Sequence, residues 1–371
     1  MLPFSQLSYW EKQTYINNID FLIVGSGIVG LCTAIYLKQK FPKQKVVIIE
    51  RGYLPTGASS KNAGFACIGS PSELLDDLKN TSENDVFSTV EKRWKGLLNL
   101  INLLGKKHIG YQKNGSYELF EKEDIFNECS HKIDFLNKQL KSITNIDEVF
   151  DIDNNIIDNS NFKGFQKAIS HKAEGQINTG LMIYNLTKLA QQKHIIILNN
   201  VEALSYQNNI LNTNLGELKY NKLFICTNGF AKQLINDDIL PAKAQVLVTT
   251  PIKDLKFKGI YHFDSGYYYF RNVGDRVLFG GGRNLDFKTE TTTNFEQNSL
   301  IIDQLKAYLK THILPQSPFK IEHKWVGIMG VGREKSPIIK QIDKDVYCGV
   351  RLGGMGVAIG SLVGKEISQM V

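Results

Sequence analysis

The first fifty residues are a succession of apolar runs cut by short glycine-rich or charged breaks. Asp20 to Val24 is a nearly continuous apolar run of strand length, suited to a parallel sheet covered on both faces. Leu31 to Lys40 then places Leu31, Ala34, Ile35 and Leu37 at helical spacing. A turn at Phe41-Pro42 leads to Lys45-Val46-Val47-Ile48-Ile49, a second buried strand that ends at Glu50. The almost uncharged stretch Phe21 to Leu37 invites comparison with a membrane span. It is short for one, is interrupted by Gly25-Ser26-Gly27, and follows polar Glu11 to Asp20 with no basic leader or cleavage site. Strand followed by helix is therefore the reading, with no transmembrane segment.

The pattern changes downstream. Ser72 to Leu78, Glu91 to Lys106 and His131 to Lys141 predict helices. Lys243–Pro251, Gly259–Phe263, Tyr267–Asn272 and Val277–Gly281 predict successive strands with Gly and Asp turns between them, hence an antiparallel sheet. Phe295 to Lys310 predicts a helix crossing that sheet, Val346 to Val350 a strand, and Val357 to Glu366 an apolar helix. The fold class is α/β, a Rossmann-type unit combined with a part built on a mostly antiparallel sheet.

The chain has 371 residues, 42% hydrophobic and 22% charged, which predicts a soluble protein of two or three domains. The net charge of +7 comes from Lys residues spread along the chain. Such dispersal describes a solvated basic surface, favourable to anionic ligands, more than a nucleic-acid groove. Five widely spaced cysteines form no CxxC pair and the His residues form no HExxH pair, so no metal site is predicted. This cysteine usage fits a reducing, cytoplasmic setting.

Gly25-Ser26-Gly27-Ile28-Val29-Gly30 lies between the predicted strand and helix, and Glu50 stands 20 residues beyond Gly30. This context makes the glycine motif a dinucleotide fingerprint. Gly25 makes the tight turn, Gly27 admits the pyrophosphate, and Gly30 lets helix and strand pack closely. The helix N-terminus, with Ile28 and Val29, offers N–H groups to phosphate. Glu50 would accept ribose hydroxyls and repel a 2′-phosphate. Only one full fingerprint is present, so electrons are expected from a small substrate that reaches the cofactor directly.

The polar loop Gly57-Ala58-Ser59-Ser60-Lys61-Asn62-Ala63-Gly64 follows where a simple NAD enzyme would continue with another βα unit. Here the chain resembles the D-amino-acid-oxidase superfamily of FAD-dependent oxidoreductases, which includes glycine, sarcosine and γ-glutamylputrescine oxidases. The resemblance continues through Glu174-Gly175-Gln176-Ile177-Asn178, a helix at Leu181 to Gln191, a strand at His194 to Leu198, and Leu223 to Gly229. It takes in Tyr267 to Arg271, Trp325 to Met329, and Gly353-Gly354-Met355-Gly356-Val357. It implies FAD, with Arg51, Ser59, Ser60, Asn62, Ala63 and Val201 joining the fingerprint. Thr227, Gly229 and the Gly353–Val357 motif would lie beside the flavin. Tyr267, Tyr269 and Arg271 share one face of their predicted strand by alternation and are expected to line the substrate cavity, with Met329 from the return strand. The resemblance also implies an FAD domain of residues 1–80, 152–240 and 326–371, interleaved with a substrate domain of 81–151 and 241–325.

Departures from the family pattern bear on the substrate. Its carboxylate-binding cations would fall on Met329, Gly64 and Ala358, and its oxygen-activating Lys on Leu278. Its covalent flavin Cys falls on Gly327, so a non-covalent flavin is expected. Lys61 and Arg333 are the nearby cations that could substitute. The expected reaction is oxidation of a C–N bond in a small amine or amino-acid-like substrate by hydride transfer, with O2 or another electron acceptor. The alternatives are a flavin domain acting on modified tRNA and a non-catalytic nucleotide-binding protein.

Overall fold

The computed structural model describes residues 2–371. Two eight-stranded sheets organise it. The first grows from the expected strand–helix–strand unit: Ile19–Val24, the helix Ile28–Lys40, and Val46–Glu50. Ile19–Val24 sits between Val46–Glu50 and the long strand Gly216–Ile225, parallel to both, with Leu22 opposite Val47 and Leu223. Ile196–Asn199 extends one edge and Val346–Val350 the other, also parallel. Every residue of Val46–Glu50 and of Val346–Val350 is buried. This is why these strands read as unbroken apolar runs.

One face of this sheet is covered by Ile28–Lys40 and the C-terminal helix Gly356–Gln369, with Glu83–Leu104 and Thr179–Gln192 outside them. The second sheet runs Ile321–Val331, Leu240–Thr249, Arg276–Gly281, Tyr268–Val273, Ile260–Phe263, Ser116–Phe120, Lys167–His171, Phe150–Ile152. All its pairings are antiparallel except that of Ile260–Phe263 with Ser116–Phe120. Alternation gives it two different faces. Tyr261, Phe263, Phe270 and Phe279 pack under the helix Ser299–Tyr308 as an aromatic core. His262, Tyr269, Leu278 and Val246 point the other way. A short ladder, Phe65–Ala66 with Gly175–Gln176, lies apart from both sheets.

Several element bounds differ from expectation. The helix expected at His131 to Lys141 is two, Glu123–His131 and Ile133–Thr144, broken at Lys132 (φ −107°, ψ 1°). The helix expected from Glu91 begins at Glu83, where Ser82 accepts from the Asp85 N–H. The helix expected from Phe295 starts at Ser299, capped by Asn298. Strand membership also bears on the division into domains. Lys167–His171 and residues 326–331 hydrogen-bond into the second sheet, although both were placed in the FAD domain. By hydrogen bonding alone, the chain leaves the second sheet after His171, re-enters the first at Ile196, and crosses again between Val331 and Ile338.

Candidate active site

A cavity of about 320 Å³ runs along the C-terminal ends of the parallel strands and under the second sheet. Its position follows the general rule for open parallel sheets, where ligands sit beyond the carboxyl ends of the strands. Gly25 has φ +103°, the left-handed region that glycine tolerates. A Cβ on Gly30 would lie 1.9 Å from the Gly25 carbonyl oxygen. The turn and the helix can therefore approach only because that position is glycine. Gly30 itself lies outside the cavity, while Gly25, Gly27, Ile28 and Val29 line it.

Glu50 closes the strand beside this turn and is 8% exposed. Its Oε2 accepts from the Ser26 amide (3.1 Å) and hydroxyl (2.9 Å), and Oε1 accepts from the Gly52 amide (3.0 Å). A carboxylate offers about four acceptor positions, so one remains for a ligand hydroxyl. Arg51 lines the same end, its guanidinium 3.7 Å from the Phe230 ring centroid. Val201 also lines the cavity, but its N–H is already given to the Glu50 carbonyl at 2.9 Å.

The polar loop forms the next stretch of wall. Ser59 accepts from the Ile28 amide at 3.0 Å, so its hydroxyl sits at the helix N-terminus where phosphate is favoured. Asn62 pins the loop, donating to the Ser59 carbonyl (2.8 Å) and accepting from the Gly64 amide (2.8 Å) and Thr179 hydroxyl (2.9 Å). Ser59, Asn62 and Ala63 line the cavity. Ser60 does not. Its exposed hydroxyl donates to the Pro55 and Gly57 carbonyls, correcting its expected place beside the cofactor.

Thr227 lines the cavity at the end of the long strand. Its Oγ1 is buried and has no hydrogen-bond partner among the described residues. Buried hydroxyls are seldom left unpaired, which marks this one as waiting for a ligand atom. Gly229 is displaced from the wall; a Cβ there would lie 2.4 Å from the Met329 carbonyl, so its role is to let two chain segments touch. Opposite stand Gly353, Gly354, Met355, Gly356 and Val357, all lining the cavity. A Cβ on Gly353 or Gly354 would meet nothing within 4 Å. The helix Gly356–Gln369 begins here, its first amides having no intrahelical acceptor.

At the far end Tyr269 and Met329 line the cavity. Burial pushes the Tyr269 phenol up to about 12. Tyr267 does not join it. The strand starts at Tyr268, and Asp264, Ser265 and Gly266 all have positive φ, so Tyr267 belongs to the turn and is 41% exposed against Phe287. Arg271 is buried, with Nε donating to the Ala63 carbonyl at 2.6 Å, and burial lowers its pKa to about 10. Arg333 is exposed, its amide bound to Asp238, and is outside the cavity; Lys61 lines it.

The lining residues beyond those expected include three with titratable side chains close to Tyr269 in the fold: Cys67, Glu73 and His262. Behind them lies buried Glu174, whose carboxylate accepts from the Ile68 amide (2.7 Å), Gly69 amide (3.1 Å) and Ser116 hydroxyl (2.7 Å). Burial works to raise its pKa, but His171, His262 and these donors outweigh it and hold the carboxylate below its usual range. Burial, then Glu174, pushes the Cys67 thiol well up. A histidine in the otherwise apolar strand Ile260–Phe263 was the one available sequence signal.

The residues present fit FAD. An orphaned hydroxyl, a helix N-terminus, a glycine cradle and a carboxylate with a spare acceptor position follow one another along one cavity. The FAD dependent oxidoreductase family (DAO) matches residues 20–370, and the chain belongs to it. It is 20% identical over 398 aligned positions to a probable oxidoreductase OrdL of Haemophilus influenzae, covering 96% of this chain and 84% of that one. It is 21% identical over 353 positions to the sarcosine oxidase subunit beta of Rhizobium meliloti, covering 91% and 80%. Glycine oxidase from Bacillus cereus superposes with a TM-score of 0.76 at 16% identity, over 95% of this chain and 94% of that one. The protein is an FAD-dependent oxidoreductase. Among the described residues, no helix is long and apolar enough to cross a membrane.

Proposed function

We propose that the chain oxidises the C–N bond of an amine, or of an amino acid whose carboxylate sits away from the flavin, as in polyamine-type substrates. The observation that carries this reading is the wall beside Tyr269 and Met329. It presents Glu73 and His262; the only arginine lining the cavity, Arg51, is stacked on Phe230. Arg271 is turned to the Ala63 carbonyl and Arg333 lies outside. Nothing at this end clamps a carboxylate bidentately, whereas an acid and an imidazole suit an amine.

Bound FAD supplies the two-electron acceptor. Tyr269, Phe65 and Met329 give the substrate an apolar enclosure that excludes water. Thr227 Oγ1, Ser59 and the Gly356 amide hold and orient the cofactor. The cofactor is proposed to be non-covalent: Gly327 lines the cavity where the family's covalent Cys would stand. The lining cysteines, Cys67 and Cys226, are kept as thiols by burial.

Anaerobic bleaching of the purified flavoprotein against an amine panel tests the substrate class. Polyamine-type amines are expected to bleach the flavin faster than glycine, sarcosine or D-alanine. Comparable rates with those three would remove the reading. Acid precipitation should release the flavin into the supernatant, and a yellow pellet would show a covalent link. Oxygen consumption during turnover distinguishes O2 from another acceptor.

A further inference from the structure

We propose that His262 takes the proton from the substrate's ammonium group, and that Glu174, beside its Nε2, holds the imidazole in the form able to accept it. This rests on the amine reading above. An amine arrives at neutral pH as R–CH2–NH3+, and hydride leaves its carbon only when the nitrogen lone pair is free. One N–H bond must first break. Its electron pair stays on the amine nitrogen and the proton forms a new N–H bond on the base. This step needs no oxidant.

His262 is placed for it. The ring is 7% exposed and that remnant lines the cavity. His262 is the cross-strand partner of Tyr269, and Phe65 packs edge-on to both, with centroids at 5.2 and 5.5 Å. Its Nε2 lies 3.6 Å from Cys67 Sγ and 3.9 Å from Glu174 Oε2. Nδ1 makes no hydrogen bond among the described residues, yet is not sealed off.

Proton positions follow from the partners. Glu174 is a carboxylate and only accepts. His262 Nε2 lies 3.9 Å from its Oε2 and 3.6 Å from Cys67 Sγ, so the imidazole proton is favoured on Nε2, the nitrogen beside the buried negative charge. In neutral imidazole one nitrogen carries the proton and the other accepts. With Nε2 protonated, the lone pair is on Nδ1, the ring nitrogen without a partner among the described residues. When Nδ1 gains a proton, the buried negative charge of Glu174 stabilises the imidazolium, as the carboxylate does in other carboxylate–histidine pairs.

The other titratable groups packed around the ring are unsuited. Cys67 is held as a thiol, and burial keeps the Tyr269 and Tyr111 phenols high. His171 accepts from the Ala173 amide through Nδ1 (3.2 Å), and its Nε2 points at Glu174 (3.4 Å) rather than at the cavity. Glu118, on the adjoining strand, is taken up by Ser72. Arg93 binds the Ile68 carbonyl at 2.9 Å and cannot accept a proton. Glu73 lines the cavity, but its Oε2 is tied to the Ser70 amide at 3.0 Å in the capping box of its helix. It is the one rival the test must separate.

Two measurements on the FAD-loaded enzyme decide. The first uses no substrate: histidine NMR, with the His262 signals identified by their loss in His262→Gln. Glu174→Gln is expected to change the ring-nitrogen shifts of His262, from the pattern of an Nε2-protonated imidazole toward a mixture of the two tautomers. Unchanged shifts overturn the proposal. The second is the pH dependence of anaerobic flavin reduction by 1,4-diaminobutane, or by the fastest amine of the panel. In the wild type the rate should fall at acid pH. In His262→Gln that limb should move alkaline, toward the free amine's own ionisation. The rate at pH 7 should fall about 100-fold, the low end for a general base, while rates at high pH stay within a few-fold. Glu73→Gln should leave the limb in place. A limb unmoved in His262→Gln, or moved by Glu73→Gln instead, overturns the proposal. Absorbance of bound FAD and an unchanged Tm certify the variants, and His262→Asn serves if the Gln variant loses FAD. Bleaching by no amine at all would sink the amine reading, and the NMR result would still decide whether Glu174 sets the tautomer of His262.

Discussion

Thr227 shows how much a single side chain can say about a missing partner. Its Oγ1 is buried and unpaired where the long strand ends at the cavity wall. Replacing it by valine keeps the shape and removes an unmet desolvation penalty from the apoprotein. Thr227→Val is therefore expected to leave the apoprotein's Tm unchanged or slightly raised. Its FAD affinity should fall by about 0.5–1.5 kcal/mol, the net worth of one hydrogen bond. Titration of apoprotein with FAD, followed by flavin fluorescence, measures the second quantity. Undiminished affinity would mean that the hydroxyl does not meet the cofactor. At this scale the sequence was uneven as a guide. Gly25, Gly30 and Glu50 were legible because a motif with fixed spacing imposes their tasks locally. Tyr267 was misread because alternation was extended one residue past the strand, into a turn whose positive φ values sequence alone does not show. Cys67 and Glu73 come from one stretch of chain and His262 from a distant one, and only the fold brings them together.

The elements that were legible are those whose period is set by burial on both faces, such as Val46–Glu50 and Val346–Val350. Helix starts were missed where capping, rather than apolar spacing, sets the boundary, as at Ser82 and Asn298. The segment before Ser299 is the clearest case. Residues 286–298 form no helix there; they are pinned to the second sheet by a buried ion pair, Lys243 Nζ to Glu290 Oε1 at 3.1 Å. Lys243 is 3% exposed and Glu290 fully buried, and Gln245 and Asn298 also donate to that carboxylate. The loop carries Phe295 to a stack on Phe230, with Lys61 Nζ 5.6 Å from its ring, beside the cavity wall. Removing one partner strands a buried charge. Lys243→Met should cost about 3–5 kcal/mol, and Lys243→Met with Glu290→Met should recover most of it. Urea unfolding midpoints report both. A loss below about 1 kcal/mol in the single variant would show that the pair is solvated in practice.

The molecule as a whole depends on joints between its two sheets, and one of them is sensitive to pH. Glu118 belongs to the second sheet, while Ser72 opens the helix Pro71–Asn80 that follows the polar loop of the first half. The Ser72 amide donates to Glu118 Oε2 at 3.0 Å and its hydroxyl to Oε1. Burial raises the Glu118 pKa from 4.5 to about 7, against the opposing pull of the Ser72 hydrogen bonds. The sign follows from linkage. Below pH 4.5 the carboxyl is protonated in folded and unfolded chains alike, and the joint contributes fully. Between pH 4.5 and 7 the unfolded chain releases the proton while the folded chain retains it, so stability falls as pH rises. The rise from 4.5 to about 7 corresponds to roughly 3 kcal/mol lost across that window. Glutamine keeps an acceptor for the Ser72 amide and cannot ionise. Glu118→Gln should therefore remove this slope and make the protein more stable than wild type at pH 8, by up to roughly 3 kcal/mol. Guanidinium unfolding at half-unit steps from pH 4.5 to 8 compares the two curves. Parallel curves would mean that Glu118 ionises freely in the folded state and that the joint carries no proton at neutral pH.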